Sequence, residues 1–270
     1  MRLDVLGATP PNDPQRVLAL ADQAYADYCS AGRETEQVDL GLAICTPKYP
    51  RVHDANRLFF ARVPRGADAE ELLADAERHY VTRGSTLQRL MLARLAPKAE
   101  TVPLLELLRR RGWRELHFDI MRLDRASPLR ERTCRIISAR SAMRLYDAFA
   151  REAAASIEPQ LADVSIERLD DPQYEALVAI VDGRVVARAA LMTSGEVGLI
   201  EQVKVLDAYR RRGLGRAVVE AAIELCMRAQ LKHVLLTVGT HNEVAKRLYA
   251  SLGFTKLGEE VTFAAPQTLS

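Results

Sequence analysis

Apolar residues recur along this chain with a helical period in some stretches and as short unbroken runs in others, and that alternation predicts its elements. In residues 13–31, Val17, Leu18, Ala21, Ala24 and Tyr25 share one helical face, with Asp13 as N-cap and Pro14 at the first helical position. The apolar runs 38–45 and 57–63, separated by Pro47, Pro50 and polar residues, predict two strands with an irregular connection. Residues 67–81 read as a helix with Asp68, Glu70 and Glu71 at its positive end. Residues 88–95 suit a strand, although leucine and methionine also suit a helix. Residues 102–111 carry a helical stripe of Leu104, Leu105, Leu107 and Leu108, closed by arginines and Gly112; Trp113 begins the next strand, which runs over 114–123. The polar, proline-containing segment 124–132 divides the chain into domains 1–128 and 129–270.

In the second part, 133–138 predicts a strand and 141–154 a helix. Residues 174–193 hold two strands joined at Asp182-Gly183, the pair that favours a type I′ hairpin turn. A central strand, 197–205, leads into a helix over 213–228. That helix buries Leu214, Val218, Ala221, Ala222 and Leu225 and is expected to expose Arg216, Glu220, Glu224 and Arg228. Residues 233–238 form a continuous apolar strand, and Asn242 caps a last helix with the stripe Ala245, Leu248, Tyr249 and Leu252, ending at Gly253 before Phe254 starts another strand. The order is β-α-β-β-β-α-β-α-β. Residues 107–116 can be laid over 248–257, helix end on helix end, so the two parts are candidates for diverged copies of one fold.

Composition adds bounds. The 270 residues are 48% hydrophobic and 27% charged, the balance of a globular protein with a sizeable core, and the length suits two domains. The net charge of +2 gives no whole-chain attraction to nucleic acid or membrane. The four cysteines lack C-x-x-C spacing and read as reduced thiols. No leader pattern or run of about 18 apolar residues is present, so a cytoplasmic location without membrane partner is expected.

One stretch carries candidate chemistry. Arg210, Arg211, Arg212, Gly213, Leu214, Gly215 and Arg216 join the central strand to a helix, bringing glycines, unpaired N–H groups, a helix dipole and four guanidinium groups together. That combination suits an anion such as a pyrophosphate, or a solvated basic loop capping a helix. A Walker loop fails for want of a lysine after either glycine, and a Rossmann fingerprint fails at Val218. Nucleic acid is disfavoured because Glu220 and Glu224 interrupt the basic face. No metal site is expected.

Arg210-Arg-Arg-Gly-Leu-Gly215 resembles the acetyl-CoA signature of the GCN5-related N-acetyltransferases, Gln/Arg-x-x-Gly-x-Gly/Ala. The preceding Val203-Lys204-Val205 and the later Asn242-x-x-Ala245-x-x-x-Tyr249-x-x-x-Gly253-Phe254 fit the same family. The resemblance covers about the last 135 residues, and the first part only as a candidate degenerate copy, with an unrelated cap domain without cofactor motif as the alternative. It implies a mixed α/β sheet of the acyl-CoA N-acyltransferase fold in two tandem domains, with acetyl-CoA as cosubstrate and an amine of a small molecule or peptide as acceptor. Val203 and Val205 would meet the pantetheine arm by their backbones, the loop 211–216 the pyrophosphate, and Asn242 the cofactor farther on. Tyr249 would give the departing thiolate its proton, or else be a core residue. Glu201, two residues before Val203 and so expected on the same strand face, is a candidate base, with His241 or water as rivals. Leu206-Asp207 departs from the family's frequent Asp-Pro. In the first part Leu108 and Thr101 fall where Tyr249 and Asn242 stand, and no glycine loop is found. A CoA-binding sensor of the same fold is the alternative, and homodimerisation is compatible with either.

Overall fold

The computed structural model describes residues 13–128 and 134–266. The N-terminal residues, where a leader pattern would stand, fall almost wholly outside that range, as do Thr133 and the junction 128/129. The chain forms two compact units, each drawing on both parts of the sequence. Among the described residues the first comprises 13–28, 118–128, 134–153 and 171–259, and the second 29–117, 154–170 and 260–266. Thus 1–128 gives most of its first helix and the residues from Phe118 on to the first unit, while 129–270 gives 154–170 and its last strand residues to the second.

The first unit contains α1 (Pro14–Ser30) up to Tyr28, and β5 (Arg114–Leu123) from Phe118 on. With them stand β6 (Arg135–Ser138), α4 (Met143–Ala154), β7 (Tyr174–Val181), β8 (Arg184–Ser194), β9 (Val197–Val205), α6 (Leu214–Arg228), β10 (His233–Gly239), α7 (Glu243–Ala250) and the start of β11 (Phe254–Ala264). β6 to β9 form an antiparallel meander. Asp182 and Gly183, with φ of 49° and 74°, make the β7–β8 turn with the two left-handed residues a type I′ turn requires. β8 is buried along nearly its whole length, as its apolar run predicts for a strand covered on both faces. β9 continues through α6 to β10, which lies parallel to it, and β10 takes β5 as its antiparallel neighbour. α6 buries Leu214, Val218, Ala222 and Cys226 against this sheet. Its contact with β9 is close at Gly198, where a Cβ would stand 2.5 Å from Cys226 Sγ.

The second unit repeats the order. β1 (Thr35–Val38), β2 (Gly41–Ile44) and β3 (Arg57–Ala61) form an antiparallel meander, and α2 (Ala69–Thr82) leads to β4 (Arg89–Leu92), parallel to β3. After α3 (Lys98–Arg110), β4 is flanked antiparallel by Thr262, Phe263 and Ala264 of β11. In each unit, therefore, the strand after the crossover helix is completed by a strand from the other part of the sequence. Three details depart from the expected elements. The run 38–45 holds the turn between β1 and β2, because the polar residues of β1 leave no apolar signal. α3 begins four residues early, at Lys98 after Pro97, and accommodates Pro103. A short helix, α5 (Leu161–Glu167), lies where no element was expected. Among the described residues no helix is long and apolar enough to cross a membrane.

Candidate functional site

The site is built where β9 leaves β10. The two strands pair only over Val197–Ile200 with His233–Leu236. β10 stays paired with β5 up to Gly239, while β9 beyond Ile200 keeps β8 as its ladder partner. At the divergence Gln202 adopts a left-handed conformation, φ 47°, and the β8–β9 register shifts between Arg188 and Ala190. This is a β-bulge, which bends its strand and ends regular pairing. Val203 and Val205 lie beyond this bulge, where β9 no longer pairs with β10.

The bulge corrects one expectation. Glu201 is opposite Ala190, and Lys204 opposite Arg188, so Glu201 shares a face with Lys204. Val203 and Val205 pack on the other face, with the core under α6. The period-two rule that would put Glu201 beside Val203 fails because Gln202 inserts an extra residue. Glu201 is half-buried, and Thr237 Oγ1 of β10 donates to its Oε1.

Past β9, a 3-10 turn over Asp207–Tyr209 leads into the arginine loop. Arg211 (φ 65°) and Gly213 (φ 78°) are both left-handed, and such residues alternating in a loop form the concave backbone of an anion nest. Gly213 caps α6 without any side-chain hydrogen bond, and the first turn carries no acidic residue, so its N–H groups and dipole face outward uncompensated. A Cβ on Gly213 would meet nothing within 4 Å, so that glycine supplies the backbone angle rather than clearance.

The arginines are not equivalent. Arg210 pairs with Asp207 at 2.6 Å, and Arg212 donates to the Ala208 carbonyl while lying over the Tyr209 ring. Arg216 donates to Glu220 at 3.1 Å and to Ser251 Oγ at 2.5 Å. Glu220, expected in solvent, is only 4% exposed, because Arg216 one turn away neutralises it. Arg211 is exposed.

On the far side of the gap, Asn242 Oδ1 accepts from Ala245 N at 3.1 Å and caps α7. Along that helix Tyr249 is buried, its ring edge-on to Phe254 with centroids 6.1 Å apart. Burial pushes the phenol well above its ordinary range and the Glu201 carboxylate adds to the shift, so Tyr249 keeps its proton at neutral pH. His241 is exposed in the turn before α7. Three further residues belong to this site and were missed. Gln202 sets the bulge, Thr237 holds Glu201, and Arg188 reaches Gln202 from β8. Arg188, a lone charge in the apolar run 185–192, was the one legible signal.

The second unit differs at each of these points. It has a left-handed bulge residue, Phe60, yet β3 rejoins β4 at once through Ala61 opposite Leu92. The N-terminus of α2 is filled by Asp68, whose Oδ1 accepts from Glu70 N and Glu71 N at 2.7 and 3.2 Å. Among the described residues no group of three or more His, Cys, Asp or Glu is placed to hold a metal.

Comparison with known proteins bears on this geometry. Residues 142–254 match the model of the "Acetyltransferase (GNAT) family". A mycothiol acetyltransferase of Nocardiopsis dassonvillei is 36% identical over 111 residues, 38% of this chain and only about a third (34%) of that relative's own length. Among solved structures, a GCN5-related N-acetyltransferase from Kribbella flavida aligns over 93% of this chain and 96% of its own, with TM-score 0.64 and 18% identity. A conserved protein of unknown function from Staphylococcus epidermidis aligns over 86% and 94%, with TM-score 0.57 and 17% identity. At these identities the structures speak for the fold, and they extend it to the chain as a whole.

Proposed function

We propose, from the match of residues 142–254 to the acetyltransferase (GNAT) family, that the first unit of this chain transfers an acetyl group from acetyl-CoA to an amine. The observation that carries the proposal is the meeting, in one unit, of a splayed strand edge with an uncapped, acid-free helix N-terminus. The first suits the amides of a pantetheine arm and the second a pyrophosphate. Acetyl-CoA supplies the activated acetyl group. The backbone of Val203 and Val205 aligns the arm, and the N–H groups of residues 211–216 hold the diphosphate. Arg211 contributes charge, whereas Arg216 acts through its backbone because its guanidinium is engaged. Asn242, committed to capping α7, positions that helix beside the cofactor.

Direct attack requires a neutral amine and a proton for the thiolate. Glu201, held by Thr237, takes the proton from the attacking amine, directly or through water. Tyr249, kept protonated by burial, delivers one to the sulfur. The sulfur leaves as thiol and the amine becomes an amide.

The test is thiol release from acetyl-CoA with polyamines, amino sugars, aminoglycosides, amino acids and peptide N-termini, run beside thermal protection by CoA. Release with one class and protection of the wild type are expected. Gly213→Asp, which sets a carboxylate against the phosphates, should abolish the protection. Protection without release would turn the assignment to a CoA sensor, and undiminished protection of the aspartate variant would show the cofactor site to be misplaced.

A further inference from the structure

Arg188 lies mid-strand in β8, in an otherwise apolar run, with only 8% of its surface exposed. A guanidinium does not lose its proton in a protein, so burying one is costly unless its donors are engaged. Its Nη1 donates to the Tyr146 hydroxyl at 2.9 Å and its Nη2 to Gln202 Oε1. The rings of Tyr146 and Phe149, both on α4, lie 6.0 and 5.8 Å away. Among the described residues no carboxylate lies within ion-pair distance of it. The side chain thus bridges α4 and the bulge residue of β9, while its buried Nε has no hydrogen-bond partner among the described residues.

The second unit shows the same bulge without this tie. There Phe60 follows Phe59, opposite Leu42, as Gln202 follows Glu201, opposite Ala190. Two residues before Leu42 stands Leu40, in the place of Arg188. That bulge rejoins its neighbour at Ala61, whereas the one tied to Arg188 stays parted from β10.

We propose that Arg188 is a positioning residue for the cofactor: by tying Gln202 to Tyr146 it fixes the angle at which β9 leaves β10, and so the backbone of Val203 and Val205. The inference rests on the acetyl-CoA reading above. It is tested by calorimetric titration of CoA into wild type, Arg188→Met, Gln202→Gly and the double variant, with urea denaturation of all four. Arg188→Met should raise the Kd about tenfold, ~1.4 kcal/mol. Gln202→Gly, which removes the other end of the tie, should raise it by a similar factor. In the glycine background the Arg188→Met change should cost less than about threefold, because the partner of the tie is already gone. An unchanged Kd, or the same tenfold loss in both backgrounds, would overturn the tie. Should the methionine variant not fold, Arg188→Lys, which keeps the charge but loses the two-donor fork, is expected to give an intermediate loss, and wild-type affinity there would count against the proposal. A wild type that binds no CoA would refute the acetyl-CoA reading instead. The urea midpoints would then decide, with non-additive losses at 188 and 202 supporting the tie and additive ones overturning it.

Discussion

Tyr249 differs from phenylalanine by one hydroxyl in a buried setting, so Tyr249→Phe isolates proton delivery from packing. Turnover in the thiol-release assay should fall about 10²- to 10⁴-fold, with CoA affinity by calorimetry nearly unchanged. Equal turnover would leave the tyrosine a core residue. His233 gives a second prediction at this scale. It is 4% exposed, and burial lowers its pKa from 6.5 against the opposing pull of Glu196, with Arg122, Lys232 and Arg16 lowering it further. The unfolded chain therefore binds the proton more readily, and the stability this implies is complete above pH 6.5 and lost as pH falls through the folded value. The urea midpoint of wild type should drop more between pH 7 and about 5 than that of His233→Gln, and parallel curves would refute this. The sequence made the cap at Asn242, the left-handed turn at Gly213 and the buried stripe holding Tyr249 legible, because caps, glycine turns and helical stripes are local patterns. It hid the face of Glu201, because the residue that breaks the alternation, Gln202, has no composition that marks a bulge.

At the scale of elements, the helix-glycine-aromatic junction seen twice in the sequence is also built twice. Gly112 and Gly253 are both left-handed, at φ 74° and 100°, and Trp113 and Phe254 behind them are both buried. Their surroundings differ. A Cβ on Gly112 meets nothing within 4 Å, while one on Gly253 would stand 1.8 Å from the Arg125 carbonyl oxygen. Gly112→Ala should thus cost only the left-handed strain, about 1–2 kcal/mol. Gly253→Ala must also move backbone and should cost roughly 2–5 kcal/mol in urea denaturation. Equal losses would show that the close approach is not a constraint. Helical stripes, the Asp182-Gly183 turn and the long buried strands were legible because period and turn chemistry are local. α5 has seven residues and too little periodicity to stand out, and nothing local in β5 or β11 reveals that each completes a ladder begun by the other part of the chain.

For the whole molecule, the features that suit a cofactor in the first unit, a parted strand edge and an uncapped helix N-terminus, are missing from the second. In the second unit β3 rejoins β4, so no strand edge is offered to an amide-bearing arm. A phosphate at α2 would displace the Asp68 carboxylate from N–H groups it already satisfies and would lie beside Glu70 and Glu71, against the charge preference of a helix N-terminus. Both obstacles would have to be removed together, since freeing the helix end leaves the arm without a partner and parting the strands leaves the diphosphate facing acid. Titration should accordingly give one CoA per chain. Hydrogen exchange with and without CoA should gain protection in residues 201–216 and 240–250, with none gained in 61–72. A second equivalent of CoA, or protection at the start of α2, would mean that the capped helix yields its aspartate to a phosphate. Asp68→Asn would then be expected to strengthen that second site, because the amide still caps the helix but no longer repels the ligand.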